Sequence, residues 1–149
     1  MGVEGMGAEG MRQQQTVLSV TPRGRGMTGI TRDIAARLAE SGILEGMLHL
    51  FVQHTSCSLV IQENADPDVQ SDLERFLARL VPDGDPLYSH TAEGPDDMPA
   101  HVRAALTATS LSIPVSGNRM MLGTWQGIYL FEHRLHASTR RIVVHITGV

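Results

Sequence analysis

Three of the seven histidines in this sequence sit where ordered segments meet loops. His54 closes an apolar stretch, His90 lies in a long polar loop, and His101 falls in the first turn of a predicted helix. Imidazoles that converge with carboxylates from separate segments bind divalent metal ions, and a catalytic centre leaves one coordination position open. Asp97 precedes His101 by four residues. On a helical start the two side chains leave from the same face, where they could ligate one ion or orient each other. The spacing is also compatible with Asp97 as a helix cap and His101 as a surface residue.

A second polar group, Glu63-Asn64-Ala65-Asp66, stands between a predicted strand and a predicted helix. Strand-to-helix junctions present aligned N–H groups to ligands, although Asp66 reads first as an N-cap. Glu63 continues an apolar strand, so its carboxylate needs a partner, a metal or solvent. In Gly123-Thr124-Trp125-Gln126-Gly127 the single tryptophan lies in a bend between glycines. Its indole offers a flat face for stacking, or it is the core side chain of a bulged strand. Glu132-His133-Arg134 ends the following strand, and Arg134, Arg140 and Arg141 could hold phosphate oxygens or lie solvated at strand ends. Cys57 has no lysine or helix N-terminus beside it to lower its pKa and reads as a small buried side chain. No GxSxG elbow or GxxxxGK[ST] occurs, which removes those hydrolase and P-loop sites.

The elements that must position these residues follow from periodicity and punctuation. Thr16 to Val20 is β-branched and closed by Pro22, which predicts a first strand. Thr31 to Ser41 is a predicted helix with Ile34, Ala35 and Leu38 inward, Thr31 as its cap and Gly42 as its end. Gly46 to His54 and Ser58 to Glu63 predict buried strands. Asp66-Pro67 begins a helix whose buried stripe is Val69, Leu73, Phe76, Leu77 and Leu80. Pro82 to Pro99 is a long polar loop, a length that itself hints at function. A third helix, capped by Asp96 or Asp97, is expected over roughly 99 to 109 with Val102 and Leu106 inward. Ile113 to Ser116 and Arg119 to Leu122 flank Gly117-Asn118, a hairpin turn. Gly127 to Glu132 and Arg140 to Thr147 complete the strands. Strands with inserted helices, without strict βαβ alternation, predict a single-domain α+β fold with a mainly antiparallel sheet or sandwich.

Composition narrows the function classes. A chain of 149 residues with 42% hydrophobic and 19% charged residues suits one domain with a packed core. Residues 1–15 are rich in glycine, methionine and glutamine without periodicity and read as a mobile extension, leaving 16–149 as the domain. The net charge of -4 opposes nucleic-acid binding. All twelve cations are arginines, so lysine Schiff-base chemistry is excluded. One cysteine excludes an internal disulfide and a cysteine-rich zinc site. The absence of a long apolar run or signal-like start predicts a cytoplasmic protein with no membrane association.

Four motifs in order, 53–59 (QHTSCSL), 63–67 (ENADP), 93–101 (EGPDDMPAH) and 123–134 (GTWQGIYLFEHR), resemble those of the YjbQ family. The resemblance covers the chain from about residue 12, with Cys57 where the family commonly has alanine. It implies a small α+β sandwich assembled as a homotrimer, with a metal-dependent site near the subunit boundary and a low, secondary thiamine-phosphate synthase activity. It also implies His54, His90 and His101 as metal ligands and Glu63, Asn64, Asp97, Trp125, Gln126, Glu132 and Arg134 as the accompanying polar set. In the reaction so implied, a pyrimidine methyl pyrophosphate joins a thiazole phosphate and pyrophosphate leaves. Asp97 or Glu63 would orient a ligand or accept a proton, while Asn64, Trp125, Gln126, Glu132 and Arg134 would meet the substrate, with Trp125 stacking and Arg134 on phosphate. Imidazole with carboxylate suits zinc, nickel, iron or manganese, and a diphosphate substrate would bring magnesium. Two alternatives stand beside this reading, namely a metal- or anion-binding trimer without turnover and a metal-assisted phosphoester hydrolase.

Overall fold

The computed structural model describes residues 10–136 and 138–149. The chain runs β1 (Arg12–Val20), β2 (Gly26–Gly29), α1 (Thr31–Ser41), β3 (Gly46–Val52), β4 (Cys57–Glu63), α2 (Pro67–Leu80), α3 (Asp97–Leu106), β5 (Ser110–Ser116), β6 (Arg119–Met120), β7 (Gln126–Glu132) and β8 (Arg140–Gly148). The strands form a five-stranded sheet ordered β1-β8-β3-β5-β6 and a three-stranded sheet ordered β2-β7-β4. Every pairing within them is antiparallel. The expected α+β sandwich is the one observed.

Period-two alternation explains which faces meet. Leu48, Leu50 and Val52 of β3 and Ile142, Val144 and Ile146 of β8 point into the sandwich, where they join Leu59, Ile128 and Leu130 of the smaller sheet. The intervening His49 and Phe51 face outward. Ile34 and Leu38 of α1 enter the same cluster, while Ala35 stays outside it. Gly117 and Asn118 both adopt φ near 59°, the left-handed pair a tight hairpin needs between β5 and β6. The Asn118 amide then donates to the Leu38 and Ile43 carbonyls, tying that hairpin to the end of α1.

Several boundaries and faces differ from expectation. The first strand begins at Arg12, four residues before Thr16, because its partner β8 is long enough to pair Arg12 with Gly148. Of the segment expected to be mobile, 1–9 lies outside the described residues, and Arg12 to Gln15 belongs to β1. Thr31 does not cap α1; its hydroxyl accepts from the Ile128 amide of β7. Gly42 ends α1 with φ 67°, as its type suggests. Asp66 caps α2 by accepting from the Asp68 amide, with Pro67 in the first turn. The predicted stripe of α2 is split: Leu77 is buried and Val69 and Leu73 are half-buried, but Phe76 and Leu80 are 52% and 55% exposed. Amphipathic spacing marked the apolar face correctly, but a small sandwich offers α2 too narrow a surface to cover it. The third helix starts at Asp97, ends at Leu106, and turns Pro99, Ala100 and Arg103 inward while Leu106 is exposed. Arg103 takes the inward position because Glu74 of α2 pairs with it at 2.7 Å. Among the described residues no helix is long and apolar enough to cross a membrane.

Candidate metal centre

The first turn of α3 carries Asp97 and His101 on one face, and the loop between α2 and α3 brings His90 to meet them. His90 Nε2 lies 2.7 Å from Asp97 Oδ2, and His101 Nε2 lies 3.1 Å from the same oxygen. Their potential ligand atoms all fall within 4.8 Å of one another, the distance scale of a shared ion. On its other side, His101 Nδ1 is 2.9 Å from the Thr55 carbonyl. A carbonyl only accepts, so Nδ1 carries the proton and a neutral His101 turns the bare lone pair of Nε2 toward Asp97. Two electron-rich atoms at that separation repel unless a proton or a cation lies between them. Imidazole held by a backbone carbonyl at one nitrogen and free at the other is how proteins commonly orient metal-binding histidines.

Asp97 is itself fixed from behind. Arg134 Nη1 donates to Asp97 Oδ1 at 2.8 Å, Nε donates to Asp96 Oδ2 at 2.9 Å, and Nη2 donates to the Glu93 carbonyl at 3.1 Å. The Leu135 amide adds a bond to Asp96 Oδ2. Burial alone would raise the Asp97 pKa, but the His90 hydrogen bond, the charge His101 carries when protonated and the Arg134 charge outweigh it and hold the carboxyl below its usual range. At Asp96 burial is likewise overcome, by the Arg134 and Leu135 hydrogen bonds, and the group is pulled down to about 2. Both carboxylates are therefore ionised at neutral pH. Two imidazole nitrogens and one ionised oxygen, with solvent on the His90 side, fit a divalent ion that retains open positions.

His54, predicted as the third imidazole, is not in this group. It sits just beyond β3, where its Nε2 accepts from the Arg141 amide at 2.9 Å and its Nδ1 is 3.3 Å from Arg140 Nη1. Burial, then the neighbouring Arg140 charge, lowers its pKa. The start of β8 holds this ring. Glu132 is fully buried and pairs with Arg140 through both oxygens, Oε1 to Nε at 2.8 Å and Oε2 to Nη2 at 2.5 Å. It also accepts from the His133 and Arg134 amides, so it shapes the turn that presents Arg134. Neither guanidinium stands ready for phosphate as expected: Arg134 is committed to Asp96 and Asp97, and Arg140 to Glu132 and the Ser56 hydroxyl. Cys57 is buried, and burial pushes its thiol up to about 12, in keeping with an unreactive side chain.

Glu63, Asn64, Trp125 and Gln126 lie at the other end of the three-stranded sheet. In the β4–β7 register Cys57 pairs with Glu132 and Glu63 with Gln126. Six residue steps separate these ends, about 20 Å at the usual strand rise. Glu63 accepts from the Asp66 amide, the Asn64 side chain donates to the Thr124 carbonyl, and Gln126 accepts from the Gly123 amide. Trp125 is 62% exposed. The bend is thus built, while its indole projects outward.

Two contributors were missed by the sequence reading. Asp96, expected only as a possible cap of the third helix, makes no side-chain cap bond there and instead anchors Arg134. The Thr55 carbonyl is a backbone group with no sequence signature.

The sequence profile described as UPF0047 protein YjbQ-like matches residues 16–149. A UPF0047 protein of Synechocystis sp. is 48% identical over 137 residues, 92% of this chain and 93% of its own length. The UPF0047 protein YjbQ of Escherichia coli O157:H7 is 45% identical over 135 residues, 90% of this chain and 97% of its own. Among solved structures, a conserved hypothetical protein from Thermus thermophilus superimposes with a TM-score of 0.77 at 36% identity, covering 86% of this chain and 97% of that one. A YbjQ-like protein of unknown function from Sulfolobus solfataricus shares the fold with a TM-score of 0.84 at 24% identity, covering 93% and 99%. The profile match spans nearly the whole domain and the relatives align almost end to end, so this chain belongs to the YjbQ-like UPF0047 family.

Proposed function

We propose that this protein is a divalent-metal-dependent enzyme acting on a small phosphorylated molecule, with His90, Asp97 and His101 as the protein ligands. The observation that carries this reading is the meeting of two imidazole Nε2 atoms on one buried carboxylate oxygen, with the proton of His101 held on the far side by Thr55. A divalent ion supplies neutralisation of negative charge on phosphate oxygens when it is bound. The chain's own contribution is orientation. Arg134 keeps Asp97 ionised and aimed, Glu132 fixes the turn beneath Arg134, and the Thr55 carbonyl selects the His101 tautomer.

The reaction suggested by family resemblance is a secondary thiamine-phosphate synthase activity. Stacking by Trp125 and contacts from Glu63, Asn64 and Gln126 would then require another copy of the chain, because those residues lie at the far end of their own sheet. A cyclic homotrimer would use a heterologous contact, in which one face of each protomer meets a different face of the next. Such a ring would bring the tryptophan bend of one copy toward the metal end of its neighbour. One observation favours the binding-protein alternative: Arg134 commits its donors to Asp96, Asp97 and Glu93, which leaves that guanidinium no ready grip on a diphosphate.

Purified protein titrated with zinc and manganese, then assayed for thiamine phosphate with and without chelator, tests the proposal. Metal binding with chelator-sensitive product formation supports it. Metal binding without turnover favours the binding-protein reading, pyrophosphate or phosphate release without the thiazole partner reveals a hydrolase, and no metal binding overturns the centre.

A further inference from the structure

His101 borders two spaces. Its Nε2 edge faces Asp97, and its ring also forms part of the wall of a cavity of about 590 Å³ between α3 and the chain leaving β3. Phe51, Val52, Ala104 and Ala105 supply an apolar surface, and His54 joins His101 at the polar side. The volume lies inside the range typical of small-molecule sites, and an apolar wall with a few convergent polar groups is their usual make-up. The small residues on α3 matter here. Ala104 and Ala105 leave open the space that larger side chains on the same helix would fill.

We propose that this cavity is the specificity pocket of the metal centre and takes the uncharged ring or branched apolar part of a small molecule whose anionic group reaches the metal. This deepens the metal-centre reading and rests on it. His101 is the residue the two spaces share: it lines the cavity and sets its Nε2 against Asp97, so a ligand lying along the ring would carry its anion toward that edge. Thr55, whose carbonyl fixes the imidazole, is itself a lining residue of the cavity, so the hydrogen bond that orients the ligand atom also ties together two residues of the pocket wall. Gln53, from the same connection, offers hydrogen bonding to a heteroatom of the ring.

Three probes separate pocket from metal. Methylphosphonate with zinc reads the metal alone, benzyl alcohol reads the pocket alone through NMR shifts of the Ala104 and Ala105 methyls, and benzylphosphonate with zinc reads both. Burying a ring is worth on the order of 1.5–3 kcal/mol, so benzylphosphonate is expected to bind zinc-loaded protein at least about tenfold more tightly than methylphosphonate. Ala104→Trp should reduce that ratio to near one while zinc affinity stays within about twofold. Phe51→Ala, on an exposed side chain that the core does not need, should lower it severalfold and serves if the first variant folds poorly. Equal affinities for the two phosphonates, with no shift caused by benzyl alcohol, overturn the pocket and leave the metal centre standing; a neighbouring copy's side chain filling the cavity would give that result. Benzyl alcohol shifts without zinc binding retain the pocket and overturn the metal centre.

Discussion

The two ends of the β4–β7 pair carry residues of similar chemistry and use them in opposite ways. At the Cys57–Glu132 end, the carboxylate is buried, met by Arg140 on one side and by two backbone amides on the other. At the Glu63–Gln126 end, the carboxylate accepts one amide at the start of α2, and the neighbouring indole stands in solvent. A buried network of paired charges and amides can hold ligand atoms in place before an ion arrives, since each paired group has few satisfactory arrangements. At the open end the Trp125 indole has no such constraint and would gain a fixed partner from another molecule. Position along the sheet, more than residue type, separates the preorganised end from the available one.

The largest test of this contrast is stability. Glu132→Ala leaves the Arg140 charge buried and unpaired and is expected to cost about 3–5 kcal/mol in urea unfolding, whereas Glu63→Ala should cost about 1 kcal/mol or less. Similar losses at both ends would break the comparison. Metal affinity is the next measure. Replacing groups that orient ligands typically costs 10–100-fold, so Asp97→Ala should weaken zinc binding by more than about a hundredfold, while calorimetry on Trp125→Ala should show little change under conditions where the protein is a monomer.

The pH dependence should be concentrated at the buried end. Burial, reinforced by the Arg103, Arg25 and Arg140 charges, pushes His133 down to about 3. Its folded pKa is thus below that of the unfolded chain, near 6.5. The stability tied to its neutral form is fully present above about pH 6.5 and is lost as pH falls toward 3. Between pH 6.5 and 5 the loss should be roughly 2 kcal/mol, visible as a falling urea midpoint that flattens in His133→Gln. A midpoint slope unchanged by that substitution would place the sensitivity elsewhere. The smallest effect is expected from Arg134→Lys. A lysine cannot reach Asp96 and Asp97 together, so zinc affinity should fall about tenfold with little loss of fold.

The sandwich was largely legible. Alternation in Gly46–Val52 and Arg140–Gly148, the Asp66-Pro67 start of α2 and the Gly117-Asn118 hairpin are local signals, and local geometry obeyed them. The apolar stripe of α2 was equally visible, yet Phe76 and Leu80 stayed exposed, because burial needs an opposing surface that periodicity cannot supply.

The candidate site divides along the same line. The Asp97–His101 pair lay within one helical turn, so residue spacing by itself determined that the two side chains share a face. Choosing His90 rather than His54 as their companion, turning Arg134 from a phosphate clamp into a brace for Asp97, and setting Trp125 at the far end were decided only by tertiary structure. Helical pitch and strand alternation act over a few residues and are written in the chain, whereas which distant loop reaches a given helix depends on sheet register and on how every buried charge finds its partner.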